Sequence, residues 1–385
     1  MIWFSFFLKF FLIILYALNP VLNLIRMTPP AVEVSYQSLG IPLSSDYREG
    51  IPARTAWDIE ICNGKLFVGG GDYDANSGPV PIYEYDLLTE KWKKSASLPD
   101  EQISRFIPWG DGLIAPGCDP RQDWTFGNVY IYDGDSWQTK RTIPGGIHQF
   151  DIVQFNGRMF VGLGVAPGEF PIAVSDDGGD SFQSVTMYKD GAVLDTSAPD
   201  GNLQIRVYDF FVLNNALYAL YFRYDGNKTQ MEIYKYQNGS FYYYSNLPMK
   251  LSYRYRINFD VVTAKAELNG KMYFSTGKLY VSEDMINVSQ INLGTNAVIS
   301  DLRVIEGKLF ACVITPEEDG TYRTSIWQKS PYGDIFSELI YFTFPSPAQS
   351  FTYHNGTIYF GMGDGTISKS NPMNGSILRV SYPLS

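Results

Sequence analysis

The chain repeats one pattern of apolar and polar positions seven times between residues 53 and 385. In each copy an apolar stretch is followed by a two-residue turn and a second apolar stretch, as in "DIEICNGKLFVGG" from Asp58. Asn-Gly and similar pairs tolerate the positive φ angles that a tight hairpin turn demands. The pattern therefore predicts seven β-hairpins. Their second turn residues are Gly64, Gly112, Gly157, Asn215, Gly270, Gly307 and Gly356.

The spacing of these turns predicts a repeat architecture. Successive turns lie 37 to 58 residues apart, and most hairpins are followed by two further strand-like stretches, such as "PIYEYD" and "KWKKSA" in the first copy. Four strands in about 40–50 residues are typical of a β-propeller blade, whose two faces are buried by its neighbours in a ring. We therefore predict an all-β fold, a seven-bladed β-propeller of four-stranded antiparallel blades over residues 53–385.

The first 27 residues differ from the rest because they are almost wholly apolar. From Ile2 to Leu18 only Ser5 and Lys9 interrupt the run, which approaches the ~20 residues needed to cross a bilayer. A basic start and a small-residue cleavage site are both missing. Residues 1–27 are therefore predicted to be a signal peptide or a signal anchor, and the propeller to be secreted or anchored at the extracytoplasmic face of a membrane. If translation begins at Met27 instead, the protein is cytoplasmic.

Residues 28–52 are predicted to connect this N-terminal segment to the propeller. They include "VEVSYQSL", which has no hairpin partner of its own. A strand of this kind is a candidate to pair with the outer edge of the last blade and close the ring.

Charge and cysteine content exclude several classes of partner. The formal net charge is −10, which argues against nucleic acid because phosphates demand a basic surface. The three cysteines are far apart in sequence and show no Cys/His spacing typical of a metal site. We therefore predict no metal, no cofactor and no disulfide framework, and contact with a membrane only through the N-terminal segment.

One stretch of the third copy has the spacing S-x-D-x-G-x-S-F. The residues are Ser175, Asp177, Gly179, Ser181 and Phe182. The stretch joins the third and fourth strands, where other copies also place a turn followed by an aromatic residue. It closely resembles the Asp-box of sialidases and related propellers. That resemblance implies a structural turn that lies away from any substrate.

The first copy resembles a kelch repeat instead. It has three glycines at residues 69–71 after the second strand, then Tyr85 and, one strand later, Trp92. The second copy follows the same pattern more loosely through Tyr132 and Trp137. The two resemblances together indicate a kelch-like or Asp-box propeller.

An aspartate opens the first strand in five copies. These residues are Asp58, Asp151, Asp209, Asp260 and Asp301. A ring of carboxylates at the channel mouth could bind a cation or supply acid and base groups. Repetition favours a structural interpretation, either a repeated turn or a hydrogen bond that links neighbouring blades, because catalytic residues rarely recur in every copy.

Candidate ligand-binding residues gather in the loops at one axial end of copies one to three. These loops combine aromatic, cationic and carboxylate side chains, which suit sugar stacking and polar recognition. The candidates are Trp57, Arg105, Trp124, His148, Asp151 and Glu169.

These observations predict a binding module that recognises a glycan or protein ligand at its axial loop face. The first alternative is a sialidase-like glycoside hydrolase acting on an acidic or neutral glycan, but the F-R-I-P signature of sialidases and a Tyr/Glu nucleophile pair are not found in the sequence. A structural scaffold is the second alternative. The sequence thus favours a binding protein over an enzyme without identifying the ligand.

Overall fold

The computed structural model describes residues 30–197, 203–224, 228–247, 264–294, 296–365 and 371–384. Within these ranges the chain is almost entirely β-strand, with three short 3-10 helices at Pro42–Ser45, Pro52–Arg54 and Tyr73–Ala75. None of the helices in this described part has the length and hydropathy that a membrane span requires. The predicted signal or anchor segment, residues 1–27, and the first-strand residue Asp260 lie outside the described residues.

The first sixteen strands cover the described part of the connector and the first three sequence copies. They are β1 (Val32–Glu33), β2 (Gln37–Gly40), β3 (Asp58–Cys62), β4 (Lys65–Gly69), β5 (Val80–Asp86), β6 (Lys91–Leu98), β7 (Asp100–Gln102), β8 (Ile107–Trp109), β9 (Gly112–Pro116), β10 (Cys118–Pro120), β11 (Phe126–Tyr132), β12 (Trp137–Pro144), β13 (His148–Phe155), β14 (Arg158–Val165), β15 (Ile172–Ser175) and β16 (Gln183–Ser184).

The remaining strands cover the last four copies. They are β17 (Met187–Lys189), β18 (Ala192–Val193), β19 (Gln204–Leu213), β20 (Ala216–Tyr224), β21 (Thr229–Gln237), β22 (Ser240–Asn246), β23 (Ala264–Leu268), β24 (Lys271–Ser275), β25 (Leu279–Ser282), β26 (Val288–Ile291), β27 (Val298–Ile305), β28 (Lys308–Pro316), β29 (Tyr322–Lys329), β30 (Phe336–Phe344), β31 (Ala348–His354), β32 (Thr357–Met362) and β33 (Ile377–Ser381).

Six of the seven predicted hairpin turns form at the predicted residues. Both turn residues have positive φ angles, as at Asn63 with 50° and Gly64 with 73°, which is the geometry of a two-residue turn between twisted strands. The second hairpin differs because Trp109 pairs with Gly112. Its turn therefore consists of residues 110 and 111, one position earlier than predicted.

The strands form a β-propeller of small antiparallel sheets, but the prediction of seven separate blades is wrong. The described strands form five separate sheets of four or five strands and one sheet of twelve. The larger sheet contains β13–β16 and β19–β22, which are joined because Gly164 and Val165 of β14 pair with β19. Glycine permits this approach: a Cβ at Gly162 of β14 would lie 2.5 Å from the carbonyl oxygen of Val207.

We number the hairpin-containing groups of strands in chain order and call each one a unit. The units are one (β3–β6), two (β8, β9, β11, β12), three (β13–β16), four (β19–β22), five (β23–β26), six (β27–β30) and seven (β31–β33 with β2).

The first strands of the units surround a common axis. β3 contacts β31, β31 contacts β27, β27 contacts β23, and the series continues through β19 and β13 to β9, the second strand of unit two. Seven apolar clusters of described residues lie between neighbouring units. Between units one and two, for example, Phe67 packs against Tyr132 with ring centroids 4.7 Å apart. Burial of both faces of each sheet in this way is the main source of stability in a propeller.

The N-terminal strands lie across the junction of units six, seven and one. β2 pairs antiparallel with β33 as the fourth strand of unit seven, and β1 pairs parallel with β30 of unit six. The Trp92 indole N–H of unit one also donates to the Leu39 carbonyl oxygen at 2.6 Å. Residues from the start of the chain thus complete the unit that contains its end.

Candidate functional site

A cavity of about 390 Å³ lies on the propeller axis. Its lining residues come from the first strand of every unit or from the residues just before that strand, except for Met272 of β24. We call it the axial cavity. Its charged lining residues are Asp58, Arg105, Asp151, Lys265, Glu267, Asp301 and Arg303.

One side of the axial cavity carries two cations and two carboxylates in direct contact. The Arg105 guanidinium lies 2.8 Å from Asp151 and 2.9 Å from Asp209, and Lys265 contacts both carboxylates. Although burial raises the pKa of Asp151, Lys265 and Arg105 hold it below its usual value. Asp151 is therefore an ionised carboxylate whose charge is already balanced within the protein.

The other side of the axial cavity holds three carboxylates around one arginine. Arg303 contacts Glu60 and lies 3.2 Å from Asp58 and 3.1 Å from Asp301. Burial raises the pKa of Asp58 to about 7, against the opposing charge of Arg303. Because three carboxylates face one cation, this side of the cavity is acidic.

The first-strand aspartates link neighbouring units by hydrogen bonds. Asp58 accepts the backbone N–H of Phe106 at 2.7 Å, across the boundary between units one and two. Asp151 accepts the N–H of Phe210 at 2.9 Å in the same way. A third bond joins Asp301 to the backbone N–H of Phe351 at 3.0 Å. Three of the five predicted aspartates thus make the inter-unit hydrogen bond that their repetition indicated.

Of the six candidate ligand-binding residues, the structure brings Arg105 and Asp151 together at the axial cavity. Trp57 does not reach solvent there: it is 2% exposed, and its indole N–H donates to the Gly71 carbonyl oxygen at 2.7 Å. The expectation that Trp57 offers an open aromatic surface is therefore corrected. Its ring is therefore part of the packed interior of the fold.

Trp124 and Glu169 are exposed. Trp124 is 63% exposed on the loop between β10 and β11, and Glu169 lies on the loop between β14 and β15. Both loops connect second and third strands, so by the antiparallel strand order they lie at the axial end where the first strands begin. The structure thus puts Trp124 and Glu169 on the surface of the axial end to which the sequence assigned them.

The loop that carries Trp124 is held by Arg141 of β12. The Arg141 guanidinium donates to the Phe126 carbonyl oxygen at 2.5 Å and lies 2.6 Å from the Asp123 carboxylate. Asp123 also accepts the backbone N–H of Thr125 at 2.8 Å. These bonds fix the backbone on both sides of Trp124, so the exposed indole is presented by a constrained loop.

His148 lies in a partly buried cluster that sequence spacing did not reveal. Its Nδ1 is 3.3 Å from Asp119 and 3.5 Å from the Cys118 sulfur. Burial, and then the nearby charge of Arg206, lower the pKa of His148 to about 3, so its ring is neutral at pH 7. Cys118 is thirty positions from His148, and only the pairing of β10 with β13 brings them together.

The motif at residues 175–182 forms a compact turn between β15 and β16. The buried Ser175 hydroxyl accepts the backbone N–H of Gly179 at 2.8 Å and donates to Asp177 at 2.7 Å. Asp177 in turn accepts the N–H of Ser181 at 2.9 Å, and hydrogen bonds from Ser181 help lower its pKa to about 2. Gly179 has a φ of 95°, and Phe182 is buried between units two and three.

Comparisons with known proteins support the fold and little more. No protein-family profile matches the chain, and no curated protein sequence matches it. Among solved structures, 435 chains match, so the architecture is too widespread to identify a function. One of them is a chain in a crystal structure of a mitotic checkpoint complex, with a TM-score of 0.52, 10% identity and coverage of 93% of this chain and 95% of that chain. At this identity the likeness concerns the β-propeller fold alone.

Proposed function

We propose that this β-propeller is a binding module that takes a protein ligand at the axial end of units one to three. The observation that carries the proposal is Trp124, a 63% exposed indole on a loop whose backbone is fixed by Arg141. Tryptophan is enriched among the few residues that dominate the binding energy of protein interfaces. A loop that is already ordered loses little conformational entropy when a ligand binds.

The surroundings of Trp124 fit a protein contact. Phe126, the first residue of β11, is 40% exposed, and the exposed Arg121 and Asp123 precede the two aromatic residues on the loop. Aromatic residues and arginine are enriched in the centre of protein interfaces, with polar groups around them. The solved chain to which this one is similar belongs to a mitotic checkpoint complex, so that propeller is found within an assembly of proteins.

A glycan is the second candidate ligand, and one specific feature favours it. A flat exposed indole beside a carboxylate is also the arrangement that stacks on a sugar ring and accepts hydrogen bonds from its hydroxyls. Trp124 and Asp123 are adjacent in the sequence, and both side chains are exposed.

A sialidase-like hydrolase is favoured less. Asp58, whose pKa burial raises to about 7, has the protonation that a general acid needs. However, one of its oxygens accepts the Phe106 N–H and the other accepts the N–H of Ile59. These bonds support a structural role for the carboxyl group. The turn at residues 175–182 supports distant kinship with Asp-box propellers, and we propose that kinship without their chemistry.

The proposal is tested with the full chain on a peptide array and a glycan array. Trp124→Ala should weaken binding to the recognised ligands roughly 10- to 100-fold, the effect expected for a central aromatic contact. Tyr332→Ala is the matched control, because Tyr332 is 70% exposed but lies on the turn between β29 and β30, at the opposite axial end. Equal losses in both variants, or none in Trp124→Ala, would refute the assignment. Binding to glycans alone would select the second candidate, and binding to neither array would favour a scaffold.

We further propose that residues 1–27 direct export of the propeller or anchor it at the extracytoplasmic face of a membrane. The support is the apolar run from Ile2 to Leu18, which approaches the length of a membrane span. Cell fractionation of the full chain should recover it outside the cytoplasm, whereas a chain that begins at Met27 should stay inside. If both chains are cytoplasmic, export by this segment is excluded.

A further inference from the structure

Three side chains with different metal-binding atoms converge beside the axial loops of units two and three. The Cys118 sulfur lies 3.5 Å from Nδ1 of His148, and the same nitrogen lies 3.3 Å from Oδ1 of Asp119. One ligand atom from each of the three residues lies within 4.8 Å of the other two. A thiolate, an imidazole and a carboxylate together are a typical donor set for a transition-metal ion.

The backbone explains why two neighbouring residues point to one place. Side chains of an extended strand alternate between faces, so Cys118 and Asp119 would ordinarily diverge. Asp119 has a φ of 58°, a left-handed conformation that aspartate tolerates better than most residues. This breaks the alternation. The Asp119 N–H donates to the Ile147 carbonyl oxygen at 3.0 Å, which holds the bend against the residue before His148.

The position of His148 is fixed as well. Cys118 is its cross-strand partner, and the Gln149 N–H donates to the Gly117 carbonyl oxygen at 3.0 Å. On the next strand Gly164 leaves the space that the ring occupies, because a Cβ there would lie 2.9 Å from Cδ2 of His148. The three groups are therefore positioned by the sheet and do not depend on a long flexible loop.

The observed distances agree with those between ligands of one tetrahedral zinc ion. Bond lengths of about 2.3 Å to sulfur and about 2.0–2.1 Å to nitrogen and oxygen place sulfur about 3.5 Å from nitrogen and nitrogen about 3.3 Å from oxygen. These are the separations found at His148. The remaining pair, sulfur and oxygen, lies within 4.8 Å and would need to approach by at most about 1.3 Å to reach the same geometry.

We propose that Cys118, Asp119 and His148 form a Zn²⁺ site with three protein ligands and a fourth position open to water or to a ligand. The Asp119 and His148 side chains are 18% and 17% exposed, so an ion can reach the site from solvent. A thiolate and a carboxylate supply two negative charges, which match the charge of the ion.

The surrounding charges favour a cation on balance. Arg206 is the opposing group, and its guanidinium is held over the Phe150 ring at 5.6 Å. Three carboxylates, those of Asp74, Asp100 and Glu101, also act on Asp119. The single positive charge of Arg206 is therefore outweighed, and occupation by Zn²⁺ would relieve the repulsion among the acidic groups.

The test uses the full chain, stripped with a chelator, dialysed and titrated with Zn²⁺. One ion per chain should bind, and Co²⁺ in its place should give the near-ultraviolet charge-transfer band of a thiolate ligand. Cys118→Ser should abolish that band. It should also weaken Zn²⁺ binding more than about 100-fold, because loss of a residue that only supports a ligand already weakens binding about 10- to 100-fold. Cys62→Ser is the matched control and should bind normally, because Cys62 is a thiol of unit one that contacts the Asp111 carbonyl oxygen.

Asp119→Asn and His148→Asn keep the proposal testable if Cys118→Ser does not fold. Near-ultraviolet circular dichroism identifies the variants that retain the native core, and each folded one should lose Zn²⁺ affinity. The proposal is overturned if the stripped chain binds no stoichiometric Zn²⁺ or if Co²⁺ gives no thiolate band. Equal binding by wild type and by the folded ligand variants would overturn it too. None of these results depends on which ligand binds at the axial end of units one to three.

Discussion

The Asp151 carboxylate of unit three contacts residues of units two, four and five. One of its oxygens accepts the backbone N–H of Phe210 in unit four, and the group also pairs with Arg105 and Lys265. It is 2% exposed. The Asp151 carboxylate stabilises the folded protein mainly because two cations and a backbone N–H would lose this partner without it.

We therefore expect Asp151→Ala to lower the free energy of unfolding by about 3–5 kcal/mol. Arg105 and Lys265 would keep only Asp209 as a shared partner. Asp111→Ala is the control, since Asp111 is exposed on the turn between β8 and β9 and should change stability by less than about 0.5 kcal/mol. Urea denaturation measures both, and equal stability of the two variants would contradict this role for Asp151.

At the scale of single residues, the sequence predicted the role of the repeated aspartates better than it predicted which aromatic side chains are exposed. The repeated aspartates were interpretable because the same residue recurs at the same place in several copies, which is the mark of a repeated hydrogen bond. Trp57 carried no such mark. Its burial and its bond to the Gly71 carbonyl oxygen are set by tertiary structure alone.

At the scale of elements, hairpins were predictable and sheet boundaries were not. Asn-Gly turns act locally, through φ angles that few residues tolerate. The second hairpin was misplaced by one position because glycines flank Asp111 on both sides, so two turns suit the same residues. The short strands β7 and β10 have no alternating pattern, and their pairing follows from the way the units pack.

The same limit hid the cluster around His148. No cysteine and histidine lie at the short fixed spacing that is typical of a metal site. The signal that was present is the glycine at position 117 beside Cys118 and Asp119, together with a histidine that opens a first strand. Glycine next to potential ligands indicates an irregular backbone, yet only the sheet register reveals which histidine lies opposite.

At the scale of the whole molecule, the ring closes through residues from the beginning of the chain. β2 adds the fourth strand to unit seven, and the Arg379 guanidinium of β33 donates to the Gln37 amide oxygen at 2.9 Å. Tyr36 packs on Phe342 and Phe344 of unit six, with ring centroids 5.4 and 5.5 Å apart. A propeller in which β2 and the last strand, β33, share one sheet cannot open at that junction without breaking these contacts.

A chain that begins at Pro42 should therefore be less stable than one that begins at Met27, since only the shorter chain lacks β1 and β2. It loses the pairing of β2 with β33, the hydrogen bond from Trp92 to Leu39 and the packing of Tyr36. Together these should lower the free energy of unfolding by roughly 3 kcal/mol or more. Hydrogen exchange should speed up first in β31–β33, where a new sheet edge is exposed, and later in β19–β22 of unit four, on the far side of the ring. Equal denaturation midpoints, or faster exchange spread evenly over all units, would show that the ring is closed by unit-to-unit packing and that the N-terminal strands only cover its outside.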